Sequence, residues 1–423
     1  MKKIIIPLGL SLMLCMLAGS RSKNPDKASP WPEITKETKP WTRWWWLGSA
    51  VDKENITSLM EEYAKAGFGG VEITLIYGVK GCEDQYLEFL SPAWMDMLNT
   101  CVLEAEHVVM GVDMNLGTGW PIGGPQITPE HAASRLILQK YEISGNESLE
   151  AKIIPEDPRQ VELGVNLEAL MAYSEDGKSL DLTGRVGEDG TLDWIPEKGM
   201  WNLYAAFCGK TRQRVKRAAP GGEGYTMDHL SETALGTYLE RFDQAFTTPT
   251  GVRSFFNDSY EVYNASWSPG FLEEFSERRG YDLSKYLKHL AGEGDTNEIA
   301  RVKSDYRQTM SEMLLEHFTV PWTEWSHKHQ SLTRNQAHGS PGNLIDLYAA
   351  VDIPECEIFG HRTFDIPGLP VNDDDSRNVE PNPMMLKLAT SAAHIMNKPL
   401  ISNETFTWLA EQMNNGWPGA LPD

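Results

Sequence analysis

The sequence predicts an α/β fold: a (β/α)8-type barrel, incomplete at its C-terminal end, with a small inserted antiparallel β module. Three observations carry that expectation. Buried-type apolar runs alternate with segments of helical period, the rhythm of a parallel sheet. Between residues 135 and 217 the rhythm changes to short alternating runs separated by turn signals. Several apolar runs close in acids, as strands do at the C-terminal rim of a β/α barrel.

Met1-Lys2-Lys3 and the apolar run ending at Ala18 read as a secretory signal over 1–20, and a Pro- and Lys-rich linker covers 21–40. Ser20 stands where a lipoprotein would need Cys, so a secreted, periplasmic product is expected ahead of a lipid-anchored one. The first part of the barrel, 41–134, opens on the strand Thr42-Arg43-Trp44-Trp45-Trp46-Leu47-Gly48. Asp52 then caps a helix with Ile56, Leu59, Met60 and Tyr63 on its apolar face, and Gly67 ends it. Gly70–Ile76 is a buried-type strand, Ser91-Pro92 starts the next helix, and Val109–Asn115 is the third strand. The β module, 135–217, carries turn signals such as Glu175-Asp176-Gly177 and Glu188-Asp189-Gly190, with no helical segment expected inside it. The remainder, 218–423, resumes with a helix near 231–246, a strand over 252–262, helices at 268–292 and 297–330, strands near 331–338 and 352–358, and a helix at 383–396 before the strand ending at Glu404. That makes seven barrel strands. The closing Asn414–Pro422 segment reads as loop, which leaves the last strand-helix unit missing. An open seam, poor support for Glu404 and weak activity are the expected consequences.

The chain of 423 residues is 41% hydrophobic, enough for one large core and a smaller module. Its net charge of −22 disfavours nucleic acid and anionic membranes, and no membrane insertion is expected once the signal is gone. Cys82, Cys101, Cys208 and Cys356 have neither metal-ligand spacing nor the density of a disulfide framework.

The chemistry sits at the strand ends. Val252–Val262 delivers Asp258 and Glu261, Pro399–Phe406 delivers Glu404, and a third run delivers Glu355 and Glu357. Glycoside cleavage needs one carboxyl to protonate the leaving oxygen and another to activate water or attack C1. Following the fourth and seventh strands, Glu261 and Glu404 are expected to face one another at roughly the 6.5–9.5 Å of an inverting pair. Glu261 is the expected acid, its pKa raised by Asp258. Asp258 orients that Glu or binds a cation. Glu355 and Glu357 share a face and offer oxygens to calcium, or else pair with a neighbouring Arg. Arg43, Trp45, Trp120, Asn335, His338, Glu357 and Trp408 form the expected substrate-binding set, with amides and imidazole for hydroxyls and indoles for sugar faces. Gly117–Gly124 lacks the Lys-Ser/Thr of a phosphate cradle and reads as a rim loop.

At these residues the chain resembles glycoside hydrolase family 106, the bacterial α-L-rhamnosidases. The likeness rests on Arg43-Trp44-Trp45-Trp46, Gly69-Gly70-Val71-Glu72-Ile73, Arg217–Gly224, Phe275–Leu283, Gln336-Ala337-His338-Gly339, Asp352-Ile353-Pro354-Glu355, Ser391–His394 and Glu404-Thr405-Phe406-Thr407. It implies inverting, calcium-assisted release of terminal α-L-rhamnose from plant polysaccharides or glycosides. It also implies catalytic roles for Asp258, Glu261 and Glu404, and further β-sandwich domains beyond the point, near Trp408, where the likeness stops. Two alternatives stand beside it: a retaining exo-glycosidase of the β-galactosidase type, from Asn403-Glu404, and a non-catalytic carbohydrate-binding remnant.

Overall fold

The computed structural model describes residues 33–357 and 383–404. The expected signal and Trp408 lie outside the described residues. The first third alternates as expected: β1 (Trp41–Leu47), α1 (Lys53–Ala66), β2 (Gly70–Ile76), α2 (Pro92–His107) and β3 (Gly111–Thr118). Helix α1 starts where Asp52 accepts from the Asn55 amide at 2.9 Å and stops where Gly67 turns left-handed at φ 93°. Ser91 caps α2 in the same way, with Pro92 at its first position. A Cβ at Gly70 or Gly111 would fall within 2.4 Å of the Trp41 ring, so these two glycines let that indole lie across the starts of β2 and β3.

A two-residue ribbon, β4 (Gly123–Gly124) with β9 (Tyr225–Thr226), flanks the inserted sheet of β5 (Ser134–Ser144), β6 (Leu167–Ser174), β7 (Ser179–Asp181) and β8 (Met200–Lys210). Its order is β5-β8-β6-β7, all antiparallel, over its own apolar cluster around Leu170, Leu203 and Phe207. One expectation fails here. A short helix, α3 (Pro158–Glu162), interrupts the module, begun by the Asp157 side chain on the Arg159 amide with Pro158 in the first turn. Asp-Pro is a helix-start signal that the alternating pattern around it hides.

The α/β rhythm returns with α4 (Glu232–Ala245), β10 (Ser254–Asn257), α5 (Phe271–Arg279), α6 (Leu287–Leu290), α7 (Thr296–Leu314), α8 (Val320–Lys328), β11 (Leu332–Gln336), α9 (Leu344–Ala349), β12 (Ile353–Glu357), α10 (Pro383–Ile395) and β13 (Ser402–Glu404). The helix expected over 268–292 is broken at Gly280, which sits at φ 76°. The one expected over 297–330 runs through a π turn at Leu315–Thr319, just ahead of Pro321, whose missing N–H cannot serve an α-helical carbonyl. Strand β10 is much shorter than the apolar run that contains it, so Asp258 and Glu261 lie beyond its end.

Seven strands pair in parallel in the order β1-β2-β3-β10-β11-β12-β13. Strands β1 and β13 stand at opposite ends of that order, yet Arg43 of β1 bonds Glu404 of β13 at 3.0 Å. The sheet is therefore curled, and its two ends meet through side chains at the C-terminal rim. Packed against its outer face, Trp46 meets Trp94 of α2 and Phe255 stacks on Phe246 beside Trp325.

Candidate active site

Alternation along β1 divides its side chains. Trp44 and Trp46 point into the helix layer, edge to face at 5.8 Å, while Arg43 and Trp45 point inward and remain partly exposed. Inside, two guanidiniums organise the acids contributed by the other strands. Arg334 of β11 is ion-paired with Glu72 of β2, with Asp113 of β3 at 3.0 Å and with Glu355 of β12 at 2.9 Å, and lies 4.0 Å from the centroid of Phe256. Asp113 also takes a two-pronged bond from Arg253, at 2.8 and 2.5 Å. Arg43 pairs with Glu72 at 3.1 Å and grips both oxygens of Glu404, at 3.3 and 3.0 Å. The Nη2 of Arg43 also lies 3.9 Å from Asp258. Gln336 joins the two layers by donating to Glu355 at 2.9 Å and to Glu404 at 2.7 Å. Glu404 is thus firmly held from β1 and β11, contrary to the poor support expected of it.

Charge in this mouth is unbalanced. Glu72, Asp113, Asp258, Glu355, Glu357 and Glu404 outnumber the three arginines, and burial together with this surplus raises the proton affinity of Asp258 and Glu357. Burial pushes Asp258 up to about 7; Arg43 opposes this, and Glu404, Glu357 and Glu355 reinforce it. Burial, followed by the charge of Glu404, pushes Glu357 up to about 9, again against Arg43. His338, whose Nε2 lies 3.0 Å from Glu357, is held below the usual imidazole range by burial, which outweighs the nearby carboxylates. The site therefore holds a carboxylate clamped by a guanidinium beside carboxyls that keep protons near neutrality, as acid–base chemistry requires.

These shifts bear on stability. Asp258 and Glu357 keep their protons in the folded chain at pH values where the unfolded chain, near pH 4, has lost them. Their contribution is complete below about pH 4, declines as pH rises, and is gone above about 9, the folded pKa of Glu357. Melting temperature is expected to fall between pH 5 and 10 by on the order of 5 °C, and by less in Glu357→Gln. A melting temperature that rose across that window would contradict the proton assignments.

The expected site residues fall into three groups. Arg43, Trp45, Asp258, Glu355, Glu357, His338 and Glu404 lie in or against the ion cluster, with the Arg43 guanidinium 5.4 Å from the Trp45 ring. Glu261 lies on the same rim but outside the cluster, where its carboxyl is bonded to Lys216 and Tyr263. Trp120 is close to that second group, because Lys216 and Trp120 form an antiparallel bridge and the Arg217 guanidinium lies 5.2 Å from the Trp120 ring. Asn335 is fully buried, with its Oδ1 accepting from Asn257 at 2.8 Å. Arg334 and Gln336 occupy Glu355, and among the described residues no three His, Cys, Asp or Glu side chains converge as ligands. Sequence reading missed Glu72, Asp113, Arg334 and Lys216, and read Gln336 as an amide for hydroxyls, not as the link between Glu355 and Glu404. A charge at mid-strand in an apolar run, Glu72 between Val71 and Ile73 and Asp113 between Val112 and Met114, was the available signal for the first two.

The family model of glycoside hydrolase family 106, α-L-rhamnosidase, matches residues 32–168 and 166–417. A curated protein of Formosa agariphila, described as a putative β-glucuronidase, is 25% identical over 446 residues, covering 91% of this chain and 36% of its own length. A solved rhamnosidase from Novosphingobium sp. PP1Y superposes with a TM-score of 0.68 at 15% identity, over 89% of this chain and 52% of that one. The chain therefore spans about a third and about half of these two proteins.

Proposed function

The chain belongs to glycoside hydrolase family 106, the α-L-rhamnosidases, and from that premise we propose that it removes terminal α-L-rhamnose from plant polysaccharides or glycosides with inversion. The curled sheet is proposed to be seven strands of a (β/α)8 barrel, with the active site at its C-terminal mouth.

The two-pronged Arg43–Glu404 pair carries the reading. A carboxylate so held is a proton acceptor of fixed orientation, suited to take a proton from water attacking C1. Glu261 is the proposed proton donor. Compared with Asp258, Glu355, Glu357 and Glu404, its side chain is the most exposed, at 38%, where a leaving oxygen would emerge. Asp258, sharing Arg43 with Glu404, keeps the base in place. As the C1–O bond breaks, its electron pair and the Glu261 proton go to the leaving oxygen, while the water oxygen bonds C1 and its proton goes to Glu404.

The β-glucuronidase description of the Formosa protein supplies a second reading, but the surplus of carboxylates here disfavours a uronate. Electrostatics favours a neutral sugar such as rhamnose. Incubation with p-nitrophenyl α-L-rhamnoside, β-D-glucuronide and β-D-galactoside is expected to release nitrophenol from the first alone, with β-L-rhamnose as the first-formed anomer by proton NMR. Release from the glucuronide instead, or α-L-rhamnose formed first, would refute substrate or mechanism respectively.

Calcium assistance at Glu355 and Glu357 is proposed as relief of the charge surplus. Chelation that left activity and rhamnose affinity unchanged would remove it.

A further inference from the structure

Glu261 is joined to a cluster from a different part of the chain. Lys216, on the return limb from the inserted module, bonds Glu261 Oε2, and the Tyr263 hydroxyl donates to the same oxygen at 3.1 Å. Both bonds go to Oε2, so Oε1 carries neither. Gln213, three residues before Lys216, donates to the Glu261 carbonyl at 2.6 Å and accepts from the Tyr263 amide at 2.8 Å. The backbone of Lys216 is fixed as well, giving its N–H to Trp120 at 2.8 Å and accepting from the Trp120 N–H at 3.1 Å. The ammonium is therefore delivered from an anchored position.

We propose that Lys216 is the positioning residue for Glu261, holding Oε2 so that Oε1–H faces the leaving oxygen and stabilising the negative charge left when that proton departs. This role rests on Glu261 being the acid. A carboxylic acid whose carbonyl oxygen already accepts from an ammonium and a phenol gives up its proton more readily, because both donors bind the carboxylate product more strongly than the acid. The module thereby governs one half of the proposed reaction. Glu261 also feels Glu357 of β12 and His338 after β11, and the adjacent Asp258 titrates near neutrality. The comparison that isolates Lys216 is therefore between variants on one substrate.

With Lys216→Met, Glu261 should hold its proton more tightly. On methyl α-L-rhamnoside, whose leaving group needs the proton, the basic limb of kcat/KM should move up by about one pH unit and kcat at neutral pH should fall roughly tenfold. On p-nitrophenyl α-L-rhamnoside the fall in kcat should be much smaller, and Lys216→Arg should restore most of both losses. A Lys216→Met protein that melts like the parent and shows an unmoved basic limb overturns the proposal. If Glu261→Gln loses activity equally on both substrates, the acid assignment itself fails, and this role with it.

Discussion

Arg334→Met is expected to cost about 3–5 kcal/mol of stability, or to prevent folding, because it leaves buried Glu355 without a cation and Glu72 and Asp113 with one guanidinium each. Arg334 is bound to Glu72, Asp113 and Glu355 together, joining β2, β3 and β12 through β11. Its side chain is 5% exposed and those of its three partners no more than 7%. Water cannot replace the guanidinium there, and Met fills its volume without its charge. Urea unfolding monitored by tryptophan fluorescence measures the loss. Adding Glu72→Gln to Arg334→Met should recover part of it, since one negative charge is removed from a cluster that has lost a cation. A single variant within about 1 kcal/mol of the parent would mean the cluster is not the internal brace described.

Glu404→Gln is expected to lower kcat/KM by about a thousandfold, within the range for removing a general base. The amide keeps the shape but cannot take a proton from water, and it sets an NH2 group against Arg43 or Gln336. The same change should flatten the decline of melting temperature with pH, because the charge of Glu404 helps raise both Asp258 and Glu357. Activity and proton affinity thus respond together to one substitution. A variant losing activity with the pH profile of stability unchanged would separate Glu404 from the electrostatics described.

The parallel sheet, its seven strands and the caps at Asp52, Gly67 and Ser91 were legible because each is a local signal: a buried-type run, a capping side chain, a left-handed glycine. Glu404, Asp258, Glu355 and Glu357 were legible as acids closing apolar runs. Their partners were not. Arg334 sits in the middle of a strand and acquires meaning only when β2, β3 and β12 bring acids around it, an arrangement of tertiary structure that no spacing encodes. Lys216 is separated from Glu261 by forty-five positions and a different structural layer. The end of β10 was misplaced for a related reason, since apolar residues continue past Asn257 into the loop, where Tyr260 is buried although no strand pairs with it. Side-chain burial and strand pairing are separate properties, and sequence pattern reports the first.

Glu404 and Glu261 are proposed to play opposite parts, base and acid, and leaving-group dependence separates the two roles. Kinetic constants for Glu404→Gln and Glu261→Gln would be compared on p-nitrophenyl and methyl α-L-rhamnoside. The base variant is predicted to lose activity by a similar factor on both substrates, because water must be activated whatever departs. The acid variant is predicted to lose heavily on the methyl glycoside and little on the nitrophenyl one, whose leaving group needs no proton. The reverse pattern, or equal losses for Glu261→Gln on the two substrates, would contradict the account.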